Sequence, residues 1–328
     1  MDNEPIIVTL YIKKNNPKCE EVKNWIEDFN KTNAYKLVII DIDTNKEYAG
    51  KFEDQIPYIQ VGPYQLHPPI SKENLEIALK ASLDRHKQML ESRNEQYIKR
   101  VERGHNFTGT DKTTFWITQH YMLLINSILF LYIAVPFLAP VFMKIGWEPA
   151  GKAIYTIYKP LCHQFAFRSW FLFGEQPVYP LEQAHLHYPI TYEDITNHAK
   201  VDPLEARNFS GDTFLGYKVA LCERDIAIWG SLLITGIVFS ATGRKMKRIP
   251  ILAWLLLGVL PILFDGGSQF LNSLLPIFPA RESTPMLRSI SGVLFGTLTG
   301  MYMFPLIEES MSDTQKILSR KKAVSEAK

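Results

Sequence analysis

Polar and apolar positions divide the chain into two unlike parts. Over the first third, short apolar runs alternate with charged stretches; beyond about residue 120 the apolar runs lengthen until several can cross a bilayer. Ile6 to Ile12 is rich in β-branched residues and predicts a buried strand. Val22, Trp25, Ile26 and Phe29 then recur at helical spacing and predict an amphipathic helix over 19–32. Leu37 to Ile42 reads as a second strand, and segments 57–61 and 65–67 as a hairpin around Gly62 and Pro63. Ser71-Lys72-Glu73-Asn74 supplies a helix N-cap. The order strand, helix, strand, short helix, hairpin, helix predicts a thioredoxin-like α/β domain over residues 1–84.

Residues 85–114 are dense in Lys, Arg, Glu and Gln, which predicts a solvated helical linker. A membrane helix needs about 20 mainly apolar residues. Four segments approach that length: 121–143, 224–241, 249–264 and 287–307. Pro136 and Pro140 lie in the first, where packed membrane helices tolerate them. The predicted fold is therefore an α/β thioredoxin-like domain followed by an all-α four-helix transmembrane bundle over 115–310. Basic residues tend to stay in the cytoplasm. Arg244, Lys245, Lys247 and Arg248 form one basic loop; Lys99, Arg100, Arg103 and Lys112 precede the first span; Arg320, Lys321 and Lys322 follow the last. All three groups fall on one side of a four-span chain. The expectation is a multi-pass cell-membrane protein with both termini cytoplasmic, a long outward loop over 144–223 and a cytoplasmic tail over 311–328.

Composition changes the picture little. A net charge of +2 gives no reason to expect a nucleic-acid partner, and three cysteines rule out a disulfide-dense scaffold. The opening Met1-Asp2-Asn3-Glu4-Pro5 is acidic where a cleavable signal would be basic.

The Thr9-Leu10-Tyr11 strand, a cysteine opening the first helix, and Ile56-Pro57-Tyr58 give the first 85 residues or so a resemblance to the glutaredoxin-like family. That resemblance implies a cis-proline at Pro57 and a Cys-x-x-Cys active site. Here the motif reads Asn16-Pro17-Lys18-Cys19, so the nucleophilic position is Asn16 and only the resolving position keeps its sulfur. An internal dithiol cannot form in this domain. Cys19, at a helix start, is either a thiol of lowered pKa or an inherited residue in a domain used to dock a cytoplasmic protein partner.

Four polar clusters lie at the outward ends of the spans. They are Cys162-His163-Gln164 with Arg168-Ser169; Cys222-Glu223-Arg224-Asp225; Asp265-Gly266-Gly267-Ser268-Gln269; and Arg281-Glu282-Ser283-Thr284-Pro285, leading to Arg288. In this order they resemble DUF2085, a family of predicted multispan membrane proteins, over about 155–306. The chain departs from the family pattern by an insertion of about forty residues between Gly174 and Gly216, and by Pro285 where Asn is expected. The family implies no reaction.

Ionisable groups at membrane depth usually face a bundle interior or a water-filled cavity. Asp265 with Gln269, and Cys222 with Asp225, share helical faces by spacing. Three readings of the cysteines stand side by side: a zinc or other transition-metal site drawn from Cys162, His163, Cys222 and Asp225; a structural Cys162–Cys222 disulfide; or free thiols. Adjacent Cys162 and His163 rarely bind one ion together, so one of them drops out. The arginines have two readings. Arg168, Arg224, Arg281 and Arg288 form a paired network with Asp225, Asp265 and Glu282, or they bind an anionic small molecule, phosphate or lipid head group. In the second case Gln164, Arg168, Arg224, Asp265, Gln269, Arg281, Glu282, Ser283, Thr284 and Arg288 line the site, with His163 or Asp265 as base if chemistry occurs there. Gly292, Gly296 and Gly300 recur every four residues and predict close helix packing. His185 and His187 are a poor metal signal alone. The sequence thus offers three functions: an anion or head-group site, an outer thiol or metal site, and a scaffold docking a partner through its soluble domain.

Overall fold

Two parallel strands, β1 (Ile6–Ile12) and β2 (Tyr35–Asp41), flank the first helix, α1 (Pro17–Asn30), as the β-branched runs predict. The computed structural model describes residues 6–30, 35–43, 55–198, 201–274 and 282–326. The hairpin is β3 (Tyr58–Val61) and β4 (Tyr64–Leu66), turning on Gly62 at φ +54. Strand order is β2-β1-β3-β4, with β3 antiparallel to β1 through the Leu10–Ile59 register. The Ile56–Pro57 bond is cis, as the resemblance implies. The expected short helix before the hairpin would fall on 44–54, outside the described residues.

Alternation along β1 sends Val8 and Leu10 to one face of the sheet. There they meet Val22 and Ile26 of α1 and Leu75 and Leu79 of α2 (Lys72–Glu91). Each fully buried aliphatic side chain contributes about 1.5–3 kcal/mol of transfer free energy. Ser71 caps α2, its Oγ accepting the Asn74 N–H at 3.2 Å. The charged stretch that follows is broken in two. α2 ends at Glu91, and α3 (Glu95–His105) restarts under its own cap, Asn94.

The chain divides into two compact units, 1–119 with 312–328, and 120–311. The first unit holds the sheet and, against expectation, the end of the chain. Residues 311–328 had been expected to form a tail, but the helix continues through Glu326. Arg320 Nε donates to Thr9 Oγ1 at 2.9 Å, and Thr9 lies on the sheet face opposite Leu10 with no exposed surface. Leu318 and Val324 are buried, and Lys321 Nζ meets Asp111 Oδ2 at 2.6 Å.

The second unit contains most of four helices long and apolar enough to cross a membrane. They are α4 (Gly109–Lys144), with Pro136 and Pro140 inside it; α8 (Glu223–Ala241); a third of three parts; and α11 (Pro285–Glu326). The third comprises α9 (Ile251–Ala253), a π-helical stretch at Trp254–Val259 and α10 (Leu260–Leu274). It therefore continues ten residues beyond its expected end at 264, carrying Asp265 inside a helix. Hydropathy had set that end by the polar Asp265-Gly266-Gly267-Ser268 run, which the helix absorbs. Pro285 is the first residue of α11, where a missing N–H costs nothing.

Between α4 and α8, α5 (Glu148–Tyr158) leads into a small globule. β5 (Ser169–Leu172), α6 (Tyr192–Thr196), α7 (Pro203–Asn208), β6 (Gly211–Asp212) and β7 (Gly216–Cys222) build it, with sheet order β5-β7-β6. Phe171, Tyr179, Leu181, Tyr192 and Leu215 form its core. The forty-residue insertion thus packs its own Tyr179, Leu181, Tyr192 and Leu215 against Phe171, which precedes it.

Candidate functional site

Cys162 follows α5, and Cys222 closes β7 as the N-cap of α8. Their Sγ atoms stand 3.0 Å apart. The Cys222 backbone N–H also points at Cys162 Sγ, at 3.3 Å. One turn into α8, Asp225 Oδ2 accepts from Cys222 Sγ at 2.9 Å, the contact that the three-residue spacing predicts. Donor atoms of Cys162, Cys222 and Asp225 all lie within 4.8 Å of one another. Cys162 is buried and Cys222 is half-buried. The hydrogen bond from Cys162, then burial and the Asp225 carboxylate, push the Cys222 thiol well above its usual pKa.

His163 does not join them. It is exposed and tilts against the Phe165 ring at 5.4 Å. His185 and His187 are likewise exposed. Gln164 is fully buried at φ +57, its Nε2 donating to Tyr155 O at 3.0 Å.

A lysine that sequence reading passed over sits beside this group. Lys218 is 1% exposed, and its Nζ donates to Gln164 O and Arg207 O at 2.7 Å each. Burial pulls its pKa down to about 7, with the nearby Cys162 side chain acting the other way. The signal was present in the sequence as a single cation inside the apolar run Tyr217-Lys218-Val219-Ala220-Leu221.

Arg168, Arg224 and Arg288 form a second cluster, and each of these three faces a carboxylate of the chain. Arg168 binds Glu282 through two parallel bonds of 2.7 Å. Arg288, 2% exposed, reaches Glu223 Oε2 at 2.7 Å and Glu282 Oε1 at 2.5 Å, and also bonds the Ser283 carbonyl. Arg224 pairs with Asp265, whose Oδ1 also accepts from Ser283 Oγ at 2.6 Å. Three guanidinium groups thus meet three buried carboxylates, and their charges cancel. Glu223 is the member that sequence reading left off the site. Thr284 belongs to the helix start, its Oγ1 accepting the Leu287 N–H at 3.1 Å. Gln269 Nε2 is buried without a protein partner among the described residues, and Arg281 lies outside them.

In the first unit, Asn16 has become a helix cap, its Oδ1 accepting the Lys18 N–H at 3.0 Å. Cys19 is 2% exposed, and burial pushes its thiol up rather than activating it.

The comparisons with known proteins follow the same division. Residues 7–80 match a glutaredoxin-like domain, and residues 204–302 match a family of predicted membrane proteins, DUF2085. The second match starts later than the resemblance over 155–306 suggested, so Cys162 and Arg168 lie before it. An uncharacterized protein of Methanocaldococcus jannaschii is 24% identical over 198 residues, covering 58% of this chain and 94% of that protein. No solved structure matches the chain. The chain is a membrane protein carrying a glutaredoxin-like domain.

Proposed function

We propose that this protein presents a metal site at the outer surface of the cell membrane, built from Cys162, Cys222 and Asp225, with both termini in the cytoplasm. The observation that carries the reading is the convergence of two sulfurs and one carboxylate within 4.8 Å. Two thiolates and a carboxylate suit zinc or a similar thiophilic divalent ion, with a fourth position left for water or an outside ligand. Two thiolates and a carboxylate carry three negative charges, which a divalent ion and the neighbouring Lys218 ammonium balance. The ion would act as a Lewis acid there, held by Cys162, Cys222 and Asp225.

The competing reading, an anionic small molecule or lipid phosphate at the arginines, is less well supported. An anion would have to displace Glu282 from Arg168 and Arg288, or Asp265 from Arg224. The glutaredoxin-like domain lacks a second cysteine and serves, in this proposal, to dock a cytoplasmic partner.

Metal analysis with thiol counting on the detergent-purified chain tests the reading. One equivalent of metal, lost in Cys162→Ser and in Cys222→Ser, supports it. No metal, two thiols that appear only after reduction, and no metal uptake by the reduced protein together point to a structural disulfide and remove the metal site.

A further inference from the structure

The two sulfurs are placed for two different bonds. Tetrahedral zinc, with bonds of about 2.3 Å, holds a pair of sulfurs about 3.8 Å apart, whereas a disulfide joins them at about 2.05 Å. The 3.0 Å between Cys162 and Cys222 lies between these, so a shift of under about 1 Å at each end reaches either state. We infer that the site is redox-gated: an external disulfide oxidises Cys162 and Cys222 to a disulfide and the metal ion is expelled. This rests on the metal reading above.

Accessibility sets the order of events. Cys222 is half-buried and Cys162 is 6% exposed, so the Cys222 sulfur, a thiolate while it holds the ion, meets the oxidant first. It attacks one sulfur of the external disulfide, forming a mixed disulfide and releasing the other half as a thiolate. Cys162 then attacks the Cys222 sulfur, displacing the second half as a thiolate. Two electrons pass from the protein sulfurs to the external disulfide. The divalent ion leaves with two thiolate ligands gone and only the Asp225 carboxylate remaining. Among the described residues no other His, Cys, Asp or Glu joins the group to retain it. Reduction by a dithiol restores both ligands.

Full-length protein in detergent, reduced and loaded with one equivalent of zinc, would be titrated with glutathione disulfide beside a chromogenic zinc chelator. One zinc should appear for every two thiols lost, and dithiothreitol should restore zinc uptake. Cys19→Ser should behave identically, while Cys162→Ser should trap a glutathione adduct on Cys222, read by mass. Zinc that stays bound after both thiols are oxidised overturns the gating and leaves the metal site standing. A reduced protein that takes up no zinc overturns the metal site and the gating together. Loss of zinc without loss of thiols, or no adduct in Cys162→Ser, overturns the gating alone.

Discussion

Arg288 and Glu282 lie six residues apart in sequence and meet at 2.5 Å, on side chains only 2% and 7% exposed. Glu223 binds the same guanidinium from α8, so one arginine joins the start of α11 to the start of another apolar helix. Buried pairs of this kind add little net stability when whole but cost much when halved, because the surviving charge keeps its desolvation penalty. Arg288→Met should destabilise the membrane unit by about 3–5 kcal/mol, read as a large fall in Tm by intrinsic fluorescence in detergent. The triple change Arg288→Met, Glu223→Gln, Glu282→Gln should recover part of that loss. A single mutant that melts with the wild type would show that the network carries no such load.

The glycine column of α11 sets a second expectation. A side chain at Gly296 would run into the Ile228 carbonyl and Ser231 Oγ of α8, and one at Gly300 into Thr235. Gly296→Val should cost about 1–3 kcal/mol by overpacking. Gly230→Ala, which meets nothing within 4 Å, is the control and should be near neutral. Thermal unfolding of both variants, side by side, distinguishes close packing from a helix face that merely happens to be small.

Lys218 predicts a pH dependence. Its pKa falls from 10.5 to about 7 on folding, so between those values the unfolded chain binds more protons than the native one. Stability should therefore rise with pH across that window, and the full penalty for burying the ammonium applies below about pH 7. Between pH 7 and 9 the gain is about 2 kcal/mol from this group. Lys218→Met should remove that slope while leaving Gln164 O and Arg207 O without their donor. Denaturant midpoints of the metal-free protein at the two pH values supply the test; equal slopes in both proteins would assign the effect elsewhere.

Cys19 should be a slow thiol. It is buried under Tyr11, Ile42, Ile56 and Tyr58, and its pKa is raised by that burial. Iodoacetamide should label it at pH 7 far more slowly in the native protein than in urea, and equal rates would contradict the burial. Asn16→Ala, which removes the α1 cap, should cost about 1 kcal/mol in the same protein.

Much of the fold was legible because periodicity reports burial directly. β1, α1, the Gly62 hairpin and the Ser71 cap all follow from local patterns, as do four apolar helices. Element ends were less legible where tertiary contacts decide them. Asp265 looks like the edge of a span because it is charged, yet Arg224 and Ser283 partner it and the helix runs on. The end of α11 reads as a separate tail because the apolar run stops near residue 307, while the helix runs on and Thr9 and Asp111 hold Arg320 and Lys321. At the site, the three-residue spacing located Cys222 and Asp225, since a helix turn fixes that pair locally. Cys162, 60 residues earlier in sequence, is placed by the intervening globule, and no local pattern reports that. Lys218 escaped notice because a lone lysine in a strand is usually solvated, and only the surrounding carbonyls make it otherwise.

The contact between Thr9 and Arg320 spans 311 residues of sequence. Ribosomes add about 5–20 residues per second. The first strand therefore leaves the ribosome at least about 15 seconds before the helix that covers Thr9 is made. For most of that interval, while four apolar segments are being delivered to the bilayer, the four-stranded sheet has one face waiting. A chain stalled before its last helix is complete would leave Thr9 and its neighbours uncovered, giving chaperones and proteases a way to recognise a protein that was never finished.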